Sequence, residues 1–199
     1  VFWEHGYEGT SMSTLVSALG IASARIYAAF GSKQQLFEEA VALYEAGEGG
    51  FADRALASAD IAQAIRQMLC AAVDTYTQEG RPRGCLVVSA ANSVAAENAP
   101  VLAWLAEHRR QRTESIIQRL QAASDAGQLT EGSNVRALGN CLATVLHGIS
   151  IQARDGVSRA ELLEAVDVVR DIVEALATKG AEPPGDDGAL IARLEGAHA

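Results

Sequence analysis

The chain has 199 residues, 49% hydrophobic and 21% charged with only 4 prolines, so it can bury a core and favours helix over sheet. Its formal charge of −9 excludes a general polyanion binder, and any nucleic-acid contact must come from a local surface. No run reaches the about 18 apolar residues of a membrane span, and the 3 scattered cysteines (Cys70, Cys85, Cys141) fit reduced thiols in a cytoplasmic protein.

Val1, Phe2 and Trp3 are apolar with no capping residue before them. The first helix, ending near His5, is therefore expected to be already in progress at residue 1. Gly6 stops it. Thr10 or Ser11 caps a second helix to about Leu19, with Leu15, Val16 and Leu19 on one face and Gly20 just past its end. A third helix spans about Ala22 to Phe30, placing Ile26 and Phe30 on one face, and Gly31 ends it. Ser32 and Gln35 have the spacing of a capping box for a fourth helix, whose expected buried stripe is Leu36, Phe37, Ala40 and Leu43. Residues 47–59 open with the breaker Gly47-Glu48-Gly49-Gly50 and are expected to be a linker.

Five further helices fit the remainder, at about Ile61 to Gln78, Cys85 to Ala96, Pro100 to Ala126, Ser133 to Ala153 and Ser158 to Thr178. The penultimate one carries Arg136 as its sole formal charge and is expected to be buried on more than one side. Its small residues Gly139, Ala143 and Gly148 allow close approach of a neighbour. The last helix places Leu162, Val166, Val169, Ile172, Val173 and Leu176 on one face, behind a Ser158–Glu161 capping box. Together these two could form half of a four-helix homodimer interface. Residues 179–199 read as a flexible tail with a weak helix at Ala189 to Leu194. The fold class is thus all-α, with about nine helices and no strand-like alternation.

No GxSxG, phosphate loop or Cys/His metal spacing is present, so the sequence offers no enzyme, cofactor or metal site. The informative segment is Thr10 to Phe30. Two short helices meet at Gly20-Ile21, with Leu15, Ile21 and Ile26 positioned to lock them at a fixed angle. This is helix-turn-helix spacing, which lets the second helix offer its N-terminal side chains to a major groove.

The wider pattern resembles the TetR family of bacterial transcriptional regulators. The matching residues are Phe2-Trp3, the Gly6-Tyr7-Glu8-Gly9-Thr10-Ser11 turn, Leu19-Gly20-Ile21, the Tyr27…Phe30 pair, Lys33, and Leu36-Phe37 through Tyr44. The resemblance covers residues 1–46. It implies a helix-turn-helix DNA-binding domain there, a helical effector-binding and dimerisation domain at 60–178, and a cytoplasmic protein that meets the nucleoid when bound to DNA. It implies that Thr10 and Ser11 bond a phosphate with hydroxyl and backbone N–H groups. Ala22, Ser23, Ala24 and Arg25 open the recognition helix, with Arg25 placed to read a guanine edge. Tyr27 reaches the DNA backbone through its hydroxyl, and Lys33 contacts a phosphate.

Three departures stand out. Ala22 replaces a common capping residue, Ser23 replaces a frequent basic one, and no basic arm precedes the first helix. Residues 1–46 carry 2 basic (Arg25, Lys33) and 5 acidic side chains (Glu4, Glu8, Glu38, Glu39, Glu45), a poor balance for DNA affinity.

The function implied is a ligand-responsive, DNA-binding repressor, released from a near-palindromic operator by a small molecule. Tyr76, Cys85, Asn92, Trp104, His108 and His147 are candidate pocket residues on helices expected to line the interior. Few charges fall on the expected walls, which favours a largely apolar effector. Cys85 follows Arg81, Arg83 and Gly84 at an expected helix start, a setting that lowers a thiol pKa and raises a redox or electrophile sensor as an alternative. A helical scaffold without DNA activity is the other alternative.

Overall fold

The computed structural model describes residues 1–91 and 95–178. The tail at 179–199 and the pocket candidate Asn92 lie outside the described residues. The chain begins with α1 (Phe2–His5), α2 (Met12–Leu19), α3 (Ser23–Phe30) and α4 (Lys33–Ala46). Ser11 caps α2, its Oγ accepting from the Thr14 N–H at 3.0 Å. Gly20, at φ 67°, then reverses the chain into α3. Ser32 caps α4 by accepting from the Gln35 N–H at 3.1 Å. The reciprocal half of that expected capping box is missing because the Ser32 N–H is already bonded to the Phe30 carbonyl.

The buried stripe of α4 is Phe37, Val41 and Tyr44 rather than the expected Leu36, Phe37, Ala40 and Leu43. Leu43 is 76% exposed. The helix is gripped on the side where Phe2, Tyr7 and Trp104 meet Phe37. Leu36, Ala40 and Leu43 instead border an open apolar groove beside Val1, Leu15 and Leu19.

The expected linker is largely structured. A 3-10 turn at Glu48–Gly50 leads into α5 (Phe51–Leu56). Phe51, Ala52, Ala55 and Leu56 share one face and pack into the same core as the following helix, which overrides the helix-breaking signal of the glycines just before them. Then come α6 (Ile61–Tyr76), α7 (Leu86–Ser89), α8 (Ala99–Asp125), α9 (Val135–Arg154) and α10 (Arg159–Leu176). The α7 helix is four residues long, shorter than expected. The chain beyond it is tied back to the N-terminus by Glu8, whose Oε1 accepts from the Ala95 N–H at 2.8 Å and the Asn98 side chain at 2.7 Å. The Ser158–Glu161 capping box is complete. Among the described residues no single helix is long and apolar enough to cross a membrane.

Two cores organise these helices. The larger joins α5, α6, α8, α9 and α10 around Met68, Leu69, Ile116, Leu120, Leu142 and Leu162. The smaller joins α1–α4 to Leu86, Val87, Val101 and Leu105 of α7 and α8. Phe37 is its centre, with no exposed surface, and the Phe2, Tyr7 and Trp104 rings stand edge-on to it at 5.1, 5.2 and 6.0 Å. Such pairs add about 0.5–1.5 kcal/mol each beyond area burial.

On α10, Leu162, Val166 and Val173 are buried, but Ile172 is 53% exposed and sits with Val168 off that stripe. Gly139 lets α9 cross α8 closely, since a Cβ there would stand 2.4 Å from Ile117 Cγ1 and 3.3 Å from its Cα. Gly139→Ala is therefore expected to lower unfolding free energy by about 1–3 kcal/mol through overpacking. A double-mutant cycle with Ile117→Ala, followed by urea denaturation, should show coupling of at least about 0.5 kcal/mol.

Candidate functional site

The first candidate surface is the edge formed by α2, α3 and the start of α4. α2 and α3 meet at 97°, held by buried Leu15 and Ile26. Ala22, Ser23, Ala24 and Arg25 are all exposed. Ala22 is the N-cap of α3 and provides no side-chain bond, so the first N–H groups of α3 face outward without a side-chain cap. These groups and the exposed Arg25 present donors suited to a polyanion. Tyr27 is 47% exposed on the same helix. Ser11 is exposed at the start of α2. Lys33 is half-buried, and its Nζ lies 4.3 Å from the centroid of the Tyr7 ring, which fixes the ammonium beside the α1–α2 turn. Burial lowers the Lys33 pKa somewhat, and Glu8 opposes that shift.

Thr10 departs from expectation. Its side chain is wholly buried and its hydroxyl donates to the Gly6 carbonyl at 2.7 Å. That bond satisfies the end of α1 and leaves Ser11 as the hydroxyl facing solvent.

The second candidate is a recess between α4, α5, the α6 end, α7, α8 and α9. It collects Tyr76, Cys85 and His147 from the expected pocket residues, and adds Tyr44, Arg109 and Arg112. Trp104 and His108 are not in it. Trp104 belongs to the smaller core, its ring centroid 4.0 Å from that of His108, and His108 pairs with Glu45 at 3.2 Å on a neighbouring shallow surface.

The recess is polar in places. The Tyr44 hydroxyl is buried without a well-formed hydrogen bond among the described residues, close to the Cys85 thiol and the Leu86 N–H. Burial, then the nearby Cys85 thiol, pushes the Tyr44 and Tyr76 hydroxyls far above their usual range, so both stay protonated. Burial, reinforced by Arg109 and Arg112, pushes His147 down toward its neutral form. The charged wall overturns the expectation of few charges there.

The setting of Cys85 also differs from the sequence reading. Arg81 pairs with Glu48 at 2.8 Å and Arg83 donates to the Val157 carbonyl at 3.2 Å. The Cys85 N–H is bonded to Ser150 Oγ at 2.8 Å. The two expected cations are thus engaged elsewhere, and the cations that share the recess with the thiol are Arg109 and Arg112.

Comparison with known proteins matches this architecture. The family profile described as bacterial regulatory proteins, tetR family, matches residues 1–40, and the tetracyclin repressor-like C-terminal domain matches residues 62–155. A solved cysteine mutant of the TetR family transcriptional regulator CifR, complexed with 26-base-pair operator DNA, is 34% identical and superposes with a TM-score of 0.82. That match covers 85% of this chain and 90% of the other.

The chain belongs to the TetR family.

Two further regulators are similar over most of their length. PfmR of Thermus thermophilus is 28% identical, with a TM-score of 0.57, over 92% of this chain and 94% of that one. The HTH-type transcriptional repressor ComR of Escherichia coli (strain K12) is 25% identical over 82% of this chain and 79% of its own length. As a TetR-family member the chain is a DNA-binding transcriptional regulator and not an enzyme.

The different settings of Thr10 and Ser11 give separable outcomes. Thr10→Val removes a buried hydrogen bond and is expected to lower stability by about 1–3 kcal/mol. Ser11→Ala is expected to lower it by about 1 kcal/mol through loss of the cap. In a thermal melt followed by DNA titration, Ser11→Ala should also weaken DNA binding, while folded Thr10→Val should bind as the parent does.

Proposed function

We propose that the chain is a dimeric repressor that binds a near-palindromic operator through residues 1–46 and is released when a small molecule enters the helical half at 60–178. Residues 47–59 connect the two. The observation that carries the reading is the exposed N-terminal face of α3, Ala22 to Arg25, flanked by Ser11 and Lys33 on a 97° helix pair. Arg25 would read a guanine edge, and Tyr27, Ser11 and Lys33 would hold phosphates. The similarity to a regulator solved with operator DNA supports this assignment.

Dimerisation is assigned to α9 and α10. Ile151, Val168 and Ile172 leave 49%, 60% and 53% of their surfaces open, and a Cβ at Gly148 would meet nothing within 4 Å in the protomer. An apolar face with room for close approach suits a two-fold partner. Two recognition helices would then lie about one DNA turn apart. The protein would act in the cytoplasm, on the nucleoid.

The test is selection of genomic fragments by the protein, followed by fluorescence anisotropy at two salt concentrations. Saturable, salt-sensitive binding is expected. Arg25→Ala should cost about 1–3 kcal/mol and relax specificity at one base pair, whereas Lys33→Ala should weaken all sequences alike and reduce the salt slope by about one. Failure to select any fragment would overturn the operator reading and favour a helical scaffold.

A further inference from the structure

The recess beneath the α4 C-terminus holds an unusual charge arrangement. Of its two guanidinium groups, Arg112 is paired with Asp53 at 3.1 Å. Glu45, at the rim, is paired with His108. Arg109 has no carboxylate partner among the described residues, and its one hydrogen bond there is a 3.4 Å contact to the Val87 carbonyl. Burial lowers its pKa from the ordinary arginine value, yet arginine remains charged in proteins. A half-buried cation without a counter-charge is costly unless an anion joins it.

A second observation points the same way. Tyr44 is only 6% exposed, and its hydroxyl makes no well-formed hydrogen bond among the described residues, its near neighbours being the Cys85 thiol and the Leu86 N–H. Tyr44 lines the same recess as Arg109 and His147. The only acceptor beside this protonated phenol is a thiol sulfur, a weak one, so a carboxylate oxygen would take the proton's hydrogen bond in preference. The other walls include Phe51, Ala52 and Leu146, which suit hydrocarbon.

The space is narrow. About 40 Å³ is open to the centre of a water-sized sphere, room for roughly three such groups. That suits the three heavy atoms of a carboxylate, with the rest of the molecule leading out of the recess past the apolar wall.

We infer that this recess binds a small organic carboxylate, with Arg109 as its counter-ion and Tyr44 as a hydrogen-bond donor, and that this anion is the effector class of the regulator. Binding itself stands on the recess alone. Its consequence for DNA rests on the repressor reading above. Tyr44 and Glu45 lie on the same helix as Lys33, so a ligand held between Arg109 of α8 and Tyr44 of α4 acts directly on the helix that bears a DNA-facing lysine. The effector expected from sequence, largely apolar, becomes an amphiphile with one charged end.

The test is calorimetric titration of the protein with the straight-chain carboxylates acetate to hexanoate and with the corresponding primary amides, at constant ionic strength. At least one carboxylate is expected to bind, with its amide at least about tenfold weaker, because charge-assisted bonds to guanidinium are lost. Arg109→Gln is expected to weaken that carboxylate by about tenfold or more, and so is Tyr44→Phe, which removes only the hydroxyl oxygen. Thermal melts check that each variant folds, and Tyr44→Phe carries the test where Arg109→Gln does not fold. The inference is overturned if no carboxylate binds below about 10 mM, if amides bind equally well, or if the folded variants bind as the parent does. The same carboxylate is then added to the operator titration. Carboxylate binding with unchanged operator affinity would refute the effector assignment while leaving the site intact. Operator binding without any carboxylate binding would refute the site while leaving the repressor reading intact.

Discussion

The edge-on packing of Phe2, Tyr7 and Trp104 around the fully buried Phe37 is the contact on which the arrangement of this molecule depends. Phe2 and Tyr7 belong to the first helix and the turn after it, Phe37 to α4, and Trp104 to α8. One ring therefore gathers the N-terminal helices and docks them on the larger helical body. The helices α1–α3 are 4, 8 and 8 residues long, too short to be stable alone. Their geometry is inherited from the core beneath them. The outward face of α3 is free to carry small and polar side chains because its inward residue, Ile26, supplies the anchoring.

The recess beside this core has a different character. Hydrophobic burial elsewhere in the protomer is regular, but here α4, α7, α8 and α9 converge on tyrosine hydroxyls, guanidinium groups and an imidazole. Gly84 permits that convergence. Its φ is 79°, and a Cβ would stand 2.7 Å from the Ser150 carbonyl oxygen, so only glycine lets the chain pass α9 closely enough for the Cys85 N–H to bond Ser150 Oγ. The position of α7, and with it one wall of the recess, follows from that close passage.

Much of the helical layout was legible in the sequence because it is written in local signals. Ser11, Gly20, Ser32 and Ser158 mark helix ends through chemistry that acts over three or four residues, and each cap or reversal forms where that chemistry predicts. What escaped depends on tertiary contact. The glycines at 47, 49 and 50 concealed α5, whose apolar face is explained only by its packing in the larger core. Thr10 and Ser11 are equivalent capping residues on paper, and only the inward turn at Gly6 separates them. Arg109 and Arg112 sit in the run Glu107-His108-Arg109-Arg110-Gln111-Arg112, which has the mixed charge of a solvated helix face. Packing of α4 and α9 over that face turns two of its arginines into a wall. Trp104 was legible as an aromatic on an inward-facing helix, but the core to which it belongs was not, and nothing in the sequence places His108 beside Glu45.

The 14-residue span of α4 has a mechanical consequence. At 1.5 Å per residue it is a rod about 20 Å long. Lys33 stands at one end and Tyr44 and Glu45 near the other. Phe37 and Val41 are clamped between them and act as a fulcrum. A rotation of about 10° about that fulcrum, roughly 9 Å from Lys33, displaces the lysine end by about 1.6 Å, and hydrogen bonds made at about 3 Å do not survive a change of that size. The clamp at Phe37 and Val41 thus makes the position of Lys33 sensitive to small tilts of the whole helix.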